Sequence, residues 1–192
     1  FKVIDNIFFG QTVLSMTGKK KLEISQHISS LKNFFLTFNG EIYNYKDLIS
    51  NKNKNSKIIS DTKVLVDFFD KIEPSKINNY LDGMYAYVAY DKKKKDVYFS
   101  RDPQGEKSLY KFEDTEYIIL SSEIRSILLF TGQKQLDLDI LKSYFFSRHF
   151  IQFNKTIFKN INNLEPGDLF KLNMKNKKVK KIKKFSIRKY IS

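Results

Sequence analysis

Residues 84–90 have the sequence Met-Tyr-Ala-Tyr-Val-Ala-Tyr, an unbroken apolar and aromatic run that sets the strongest limit on the fold. Its length is that of a single strand, and both faces of that strand would be apolar. Such a strand has to be buried between two layers, because a strand with one wet face alternates apolar and polar residues. The chain therefore needs a sheet that is covered on both sides.

Helical and extended patterns lie on both sides of this strand. Apolar residues at helical spacing predict a helix that Ser60 or Asp61 caps and that ends near Ile72. Asn39-Gly40 is a turn signal after a short apolar run. We predict further strands at 7–16, 34–38, 96–100, 109–111, 117–121 and within 162–172, and helices at 45–50, 76–81, 124–130 and 137–146. Helices around doubly apolar strands favour two stacked sheets between helix layers, or a single covered sheet.

The 192 residues include no Cys, which excludes disulfides, thiolate metal sites and a thiol nucleophile within them. The two histidines, His27 and His149, stand in no ligand-like cluster, so we interpret both as surface or packing residues and predict no metal site. No apolar run approaches the roughly 18–20 residues that span a bilayer. The first residues lack the pattern of a signal peptide, and we predict no membrane association.

The net charge of +14 is compatible with a nucleic-acid partner. Much of it lies in runs at 19–21, 92–95 and 175–184, which we interpret as solvated turns and a basic linker. Nucleic-acid binding would fall steeply with salt, but no nucleic-acid motif accompanies the charge, and we predict no such partner. Residues 174–192 are of low complexity, and we interpret them as a strand-like extension or a linker.

Residues 38–45 have the sequence FNGEIYNY, which resembles the signature of the glutaminase domain of the glutamine-hydrolysing asparagine synthetase family. Eight consecutive residues make this a specific signal. Further segments resemble the family's motifs in the same order, at 60–62, 81–87, 101–110, 122–124 and 156–167. The resemblance extends from about Leu14 to Leu169.

The resemblance implies the four-layer αββα sandwich of N-terminal-nucleophile hydrolases, an α+β fold that agrees with the covered sheets. It implies a type 2 glutamine amidotransferase domain over 1–173 and a basic extension over 174–192 toward a synthetase domain outside this chain. In the family, a Cys that follows the removed initiator Met attacks the side-chain amide of glutamine, with its own α-amine as base. Ammonia then passes to the synthetase domain, which uses ATP and Mg²⁺ to amidate aspartate.

The family resemblance also sets expectations for cofactors, partners and location. We expect no cofactor in this chain, because ATP and Mg²⁺ belong to the synthetase domain. The expected partners are L-glutamine and the C-terminal synthetase domain, and a homodimer is left open. The expected location is cytoplasmic.

The resemblance assigns roles to residues that match the family motifs. Asn39 and Gly40 would form the oxyanion hole, since a side-chain amide and a backbone N–H are donors that can be fixed before charge develops. Glu41 and Asp61 would hold the α-ammonium group of glutamine, and for Asp61 a helix cap is the structural alternative. The backbone around Leu14 and Met16 would contact the ligand. We interpret Arg101-Asp102 as a buried salt bridge that fixes a turn.

The sequence departs from the family in two places. The family's opening CGIxGI strand and HRGPD segment have no counterpart, so we expect an N-terminally truncated domain that lacks its first strand and its nucleophile. Val13 stands where the family has the Arg that clamps the glutamine carboxylate. Losing that clamp would weaken binding by about 1.5–3 kcal/mol. Glutamine as the ligand is therefore left open even for the parent protein.

Two hypotheses follow from the resemblance. In the first, the chain is the truncated glutaminase domain of an asparagine synthetase and is inactive as it stands, because it has no Cys. In the second, it is a degenerate, non-catalytic amidotransferase-like domain that serves as a scaffold or partner surface of a synthetase or a sugar amidotransferase. The sequence encoded upstream of Phe1 distinguishes them, since only the first requires a Cys there.

Overall fold

The structure is a computed structural model that describes residues 1–12, 27–49, 60–148 and 154–184. The strands in these ranges are β1 (Lys2–Ile4), β2 (Ile7–Phe9), β3 (Phe34–Ile42), β4 (Gly83–Asp91), β5 (Asp96–Arg101), β6 (Tyr110–Glu113), β7 (Ile118–Ser121), β8 (Ile161–Asn163), β9 (Leu169–Asn173) and β10 (Lys178–Lys183). The helices are α1 (Tyr45–Leu48), α2 (Asp61–Phe69), α3 (Ile124–Thr131) and α4 (Leu138–Ser147), with a 3-10 helix at Pro74–Asn79. Most of the predicted elements are thus found with bounds that shift by a few residues, and β1 is a further strand that was not predicted.

The described strands form two antiparallel sheets and a separate hairpin of β1 and β2. The larger sheet has five strands in the order β10-β9-β5-β4-β3, and the smaller sheet has three in the order β7-β6-β8. β3 pairs with β4 over its whole length, from Phe34 opposite Asp91 to Ile42 opposite Gly83. β3 therefore lies at one edge of the described large sheet.

Three apolar cores separate four layers. On one face of the large sheet, Phe34 and Leu36 of β3 pack in the same core as Leu65 and Phe69 of α2. The opposite face, which includes Phe35, packs with residues of the small sheet. The far face of the small sheet packs against α3. The order helix, sheet, sheet, helix is the predicted αββα sandwich, and the alternative of a single covered sheet is wrong.

α2 is shorter than predicted and begins with a side-chain cap. The Ser60 hydroxyl accepts a hydrogen bond from the Lys63 N–H at 3.2 Å, so Ser60 is the N-cap and Asp61 is the first helical residue. The helix ends at Phe69, and Pro74 then begins the 3-10 helix, since proline fits the first position of a helical turn. Of the two predicted caps, Ser60 is confirmed and Asp61 is wrong, and the helix ends three residues before the predicted Ile72.

The turn that the Asn39-Gly40 dipeptide signals is not formed, because β3 continues through both residues to Ile42. Their registered partners are Ala86 and Tyr85 of β4. Nine paired residues hold the strand extended where the local preference of the dipeptide favours a turn.

The N-terminal strand differs from its prediction as well. The predicted strand at 7–16 is observed only as Ile7–Phe9, and positions 13–16 lie outside the described residues. It is the second half of a hairpin with β1, whose turn residues Asp5 and Asn6 have φ values of 47° and 66°. Asp and Asn tolerate such angles better than most residues do.

The basic C-terminal stretch contributes a strand to the large sheet. β10 pairs antiparallel with β9 as the other described edge of the sheet, opposite β3. The strand-like interpretation of this stretch thus applies to Lys178–Lys183, and residues 185–192 lie outside the described ranges. The domain boundary at residue 173 stays a prediction.

Candidate functional site

The backbone of β3 alternates between its partner strand and its outer edge. The Lys92 N–H donates to Asn33 O at 2.9 Å, and the Tyr43 N–H donates to Asp82 O at 2.8 Å. Asn33 and Tyr43 flank β3 and both have odd numbers, so odd-numbered positions form their backbone hydrogen bonds on the β4 side. In an antiparallel pair, such residues alternate with residues whose N–H and C=O point away. The even-numbered residues of β3 therefore direct their backbone groups to the open edge.

Side chains occupy this edge on both sides of Gly40. The Gln11 amide nitrogen donates to Phe38 O at 2.7 Å, and the Phe38 N–H donates to Gln11 Oε1 at 3.1 Å. Beyond Gly40, the Ile42 N–H donates to Asp61 Oδ2 at 3.1 Å. Gly40 lies between these two positions, and within the described ranges no residue bonds to its outward N–H. Within the described part of the chain, the Gly40 N–H is therefore a backbone donor that a ligand can use.

The backbone at position 40 has no room for a side chain. Its φ is 142°, and an added Cβ would lie 2.0 Å from Met84 O and 2.8 Å from Tyr85 Cα. Both contacts are to backbone, which cannot rotate away as a side-chain end can. The glycine thus allows β3 and β4 to approach closely where the N–H faces outward.

Asn39 and Glu41 flank Gly40 with their side chains exposed. Strand alternation puts both on the face of β3 that carries Phe35, the face that packs toward the small sheet elsewhere. The small sheet does not cover them, so both side chains are exposed beside the Gly40 edge. An amide, a backbone N–H and a carboxylate thus come from three consecutive residues.

Asp61 joins the start of α2 to the end of β3. One carboxylate oxygen accepts from the Ile42 N–H, and the other accepts from the Thr62 N–H at 2.7 Å. A negative charge is favourable at the N-terminus of a helix, where backbone N–H groups are unpaired. The structure thus brings Asp61 to the Gly40 end of β3 together with Asn39 and Glu41.

Several carboxylates make this end of β3 electronegative. Desolvation and then the charges of Glu106 and Glu41 raise the pKa of the Tyr43 phenol, and Asp82 and Asp102 act in the same direction. Four carboxylates near one exposed side chain favour a cationic group at this end of β3. The predicted positions Leu14 and Met16, as well as Val13, lie outside the described residues.

Arg101 and Asp102 are both buried, but the predicted salt bridge between them is wrong. Asp102 accepts hydrogen bonds from the backbone N–H groups of Glu106 at 2.9 Å and Lys107 at 3.0 Å. Arg101 donates to the carbonyl oxygens of Leu164, at 3.2 Å, and Gly105. Among the described residues no ion pair joins the two side chains. Each bonds to loop backbone groups instead, and the Arg101 Nε is buried without a hydrogen-bond partner in these ranges. Burial lowers the pKa of Arg101, and the charge of Asp102 opposes that shift.

Asp102 also supports the strand residue opposite Gly40. Its backbone N–H donates to Tyr85 O at 2.7 Å, and its carboxylate accepts from the Tyr85 N–H at 3.4 Å. Tyr85 is the registered partner of Gly40. The Arg101-Asp102 loop therefore braces the site from behind, a contact that no sequence motif had predicted.

The described residues contain no group of three or more His, Cys, Asp or Glu side chains placed to hold a metal ion. In the same ranges, no helix has the length and apolar character needed to cross a membrane. His27 is buried, and its Nδ1 donates to Leu36 O at 2.9 Å. Of the two interpretations from the sequence, a surface residue or a packing residue, the second is confirmed. The expectation of no cofactor stays a prediction.

Comparisons with known proteins agree with this architecture. A family model described as "Glutamine amidotransferase domain" matches residues 3–186. A sequence of Methanocaldococcus jannaschii named "Putative asparagine synthetase (glutamine-hydrolyzing) 2" is 31% identical over 158 residues, which is 81% of this chain and 29% of that protein. Asparagine synthetase (glutamine-hydrolyzing) 1 of Bacillus subtilis is 29% identical over 140 residues, 71% of this chain and 22% of its own length.

A solved structure titled as the allosteric regulatory enzyme of purine biosynthesis has the same fold. It superposes with a TM-score of 0.53 and 18% identity over 82% of this chain and 30% of that one. The layer order and this superposition define an αββα domain with the fold of the N-terminal-nucleophile hydrolases. The chain belongs to the glutamine amidotransferase domain family. It spans less than a third of the length of the two synthetase relatives.

Proposed function

We propose that this chain is the glutaminase domain of a glutamine-hydrolysing asparagine synthetase and that it binds L-glutamine at the Gly40 end of β3. The outward N–H of Gly40 carries the proposal. It lies between two side-chain-bonded positions of the edge strand, beside the exposed Asn39 amide. Donors held in this way stabilise an oxyanion, since they need no reorganisation when charge develops.

The carboxylates around the Gly40 end of β3 support the proposed binding mode. Glu41 and Asp61 would attract the α-ammonium group of glutamine, and Asp82 and Glu106 add to the same field. Asp61 already accepts two backbone hydrogen bonds, but an ionised carboxylate offers about four acceptor positions. A cation can therefore still be held there. The side-chain amide of glutamine would then lie toward Asn39 and Gly40.

The 192-residue chain alone is proposed to bind without hydrolysing. It contains no Cys, so it has no thiol to attack the amide. Hydrolysis would need a nucleophile from the parent protein. Ammonia release by the chain alone would contradict this part of the proposal.

A degenerate, non-catalytic domain is the second candidate. Two features of the sequence favour it. Val13 stands where the family has the Arg that clamps the glutamine carboxylate, and the chain contains no Cys. It predicts a folded domain that does not bind glutamine at all. The upstream sequence adds a separate criterion, because only a glutaminase requires a Cys there.

The partners follow from the same proposal. The synthetase relatives are more than three times as long as the region that this chain matches, which supports a C-terminal synthetase domain as partner. ATP and Mg²⁺ would act in that domain, on aspartate as acceptor. A homodimer and a cytoplasmic location complete the proposal.

A titration of the ¹⁵N-labelled chain with L-glutamine tests binding at this site. We expect the amide resonances of Asn39, Gly40 and Glu41 to shift, with no ammonia released. Glu41→Gln should weaken binding about 10-fold or more, because a charge-assisted contact contributes roughly 1.5–3 kcal/mol. Glu116→Gln is the matched control, since Glu116 is an exposed carboxylate in the turn between β6 and β7.

D-glutamine serves as the ligand control, because it reverses the placement of ammonium and carboxylate groups. If L-glutamine shifts no resonance near Gly40 at millimolar concentration, the glutaminase proposal fails and the non-catalytic domain is favoured. Equal weakening by Glu41→Gln and Glu116→Gln would remove Glu41 from the site.

A further inference from the structure

Gln11 makes an unusual pair of contacts beside the candidate site. Its side-chain amide accepts from the N–H of Phe38 and donates to the C=O of the same residue, at 3.1 and 2.7 Å. These are the two bonds that a neighbouring strand residue would make with an edge residue. A side chain thus takes the place of a strand, across 27 residues of sequence.

Because a side chain and not a strand bonds to Phe38, the contact is limited to one residue of the β3 edge. A paired backbone strand would continue along β3 and cover the next outward residue, Gly40. A side-chain contact ends at Phe38 and leaves the position two residues further, roughly 6.6 Å along the strand, uncovered by Gln11. The Gln11 side-chain amide therefore fixes β3 next to the Gly40 N–H without bonding to that N–H.

We propose that Gln11 is a positioning residue of the glutamine site. It holds the Phe38 peptide in strand geometry and so keeps the Gly40 N–H directed outward from the edge of β3. The inference rests on the proposed glutamine binding at Gly40. Gln11 does not touch the ligand in this proposal, and it acts through Phe38.

The chemistry of the contact selects glutamine at position 11. One group must accept and the other must donate, and a carboxylamide supplies both. Ionised Glu keeps the acceptor but has no donor for Phe38 O, and Asn is one methylene shorter. On the far side of Gly40, Asp61 supplies the acceptor for the Ile42 N–H. Gln11 and Asp61 thus fix β3 on either side of the donor.

The test compares the 192-residue chain with Gln11→Ala and Gln11→Glu. Gln133→Ala is the matched control, because the Gln133 side chain also donates to a backbone carbonyl and accepts from a backbone N–H, at Lys159 and Gln135. Three quantities are measured by NMR and thermal unfolding: the Gly40 amide resonance, the L-glutamine Kd and the Tm. Hydrogen exchange of the Phe38 amide shows whether the contact has been lost.

For Gln11→Ala we expect faster exchange at Phe38, a displaced Gly40 resonance and about tenfold weaker L-glutamine binding, with a Tm close to that of Gln133→Ala. Gln11→Glu should lie between wild type and Gln11→Ala, since it keeps the acceptor, and it remains informative if the alanine variant unfolds. Unchanged L-glutamine binding with an opened Phe38 amide would overturn the proposal and leave Gln11 a structural contact.

A wild-type chain that does not bind L-glutamine would refute the proposed function separately. In that case a Gly40 resonance displaced by Gln11→Ala, but not by Gln133→Ala, still supports positioning of the amide. A Gly40 resonance that neither variant displaces overturns the role of Gln11.

Discussion

Gly40 is the residue at which sequence, backbone and site depend on one another most directly. Gly40→Ala would put a Cβ 2.0 Å from the Met84 carbonyl oxygen, at a φ of 142° that residues with a side chain rarely adopt. Overpacking and backbone strain each cost about 1–3 kcal/mol. We therefore expect Gly40→Ala to lower the free energy of unfolding by about 2–6 kcal/mol, measured by denaturant titration.

Gly132→Ala separates the two causes. Gly132 also has a positive φ, of 66°, but nothing lies within 4 Å of its added Cβ. It should lose only the conformational contribution, about 1 kcal/mol. An equal loss in both variants would mean that the contact with β4 is not what requires glycine at position 40.

His27 gives the fold a pH dependence. Burial lowers the pKa of His27 below its ordinary value of 6.5, and the hydrogen bond to Leu36 O opposes that shift. The unfolded chain therefore binds a proton near pH 6.5 while the folded chain stays neutral, and stability falls as pH falls below about 6.5. One group can contribute at most about 1.4 kcal/mol for each pH unit.

His27→Gln should remove this component. Glutamine keeps an N–H that can donate to Leu36 O but does not titrate. We expect the difference in unfolding free energy between wild type and variant to change from pH 7.5 to pH 5.5, with the wild type losing more. Parallel curves for the two proteins would show that His27 is not the titrating group.

The site residues differ in how far the sequence could identify them. Asn39, Gly40 and Glu41 lie in one contiguous motif, so a local pattern suffices to predict them. Gln11 could not be found in this way, because its partner Phe38 is 27 residues away and the contact exists only once β3 has formed. The substrate roles assigned to the motif residues stay predictions.

Among the elements, β4 was predicted most securely, because an apolar run of strand length indicates burial of both faces, and both faces are buried. β3 was truncated in the prediction, since the Asn-Gly dipeptide favours a turn and only pairing with β4 overrides it. β2 lies within the strand predicted at 7–16, but β1 and its hairpin pairing were missed, because three residues are too few for a periodic pattern. Local preference thus failed where cross-strand pairing determines the structure.

At the scale of the whole molecule, charge is divided along the large sheet. The Gly40 end of β3 carries the carboxylates that act on Tyr43. The opposite end carries the lysine-rich turn at 92–95, and its Lys95 carbonyl accepts from the Met174 N–H of the adjacent β9–β10 turn, at 3.0 Å. The ends of β3 lie roughly 26 Å apart at strand spacing. The net charge of +14 therefore does not contradict an electronegative site.

Helices α3 and α4 leave large apolar side chains exposed. α4 buries none of its residues, and Phe145 and Phe146 are 74% and 93% exposed. Leu129 and Phe130 of α3 are exposed as well. Exposed apolar surface of this kind favours association. We expect the isolated chain to self-associate as its concentration rises, measured by sedimentation velocity.

Phe145→Glu combined with Phe146→Glu should shift this equilibrium toward the monomer. The substitutions remove two exposed aromatic rings and add two charges, and the Tm should change little because neither ring is buried. Leu31→Glu is the matched control, since Leu31 is an exposed apolar residue beside the end of α2. Association that persists in the double variant and is lost in Leu31→Glu would assign the contact to the α2 face instead.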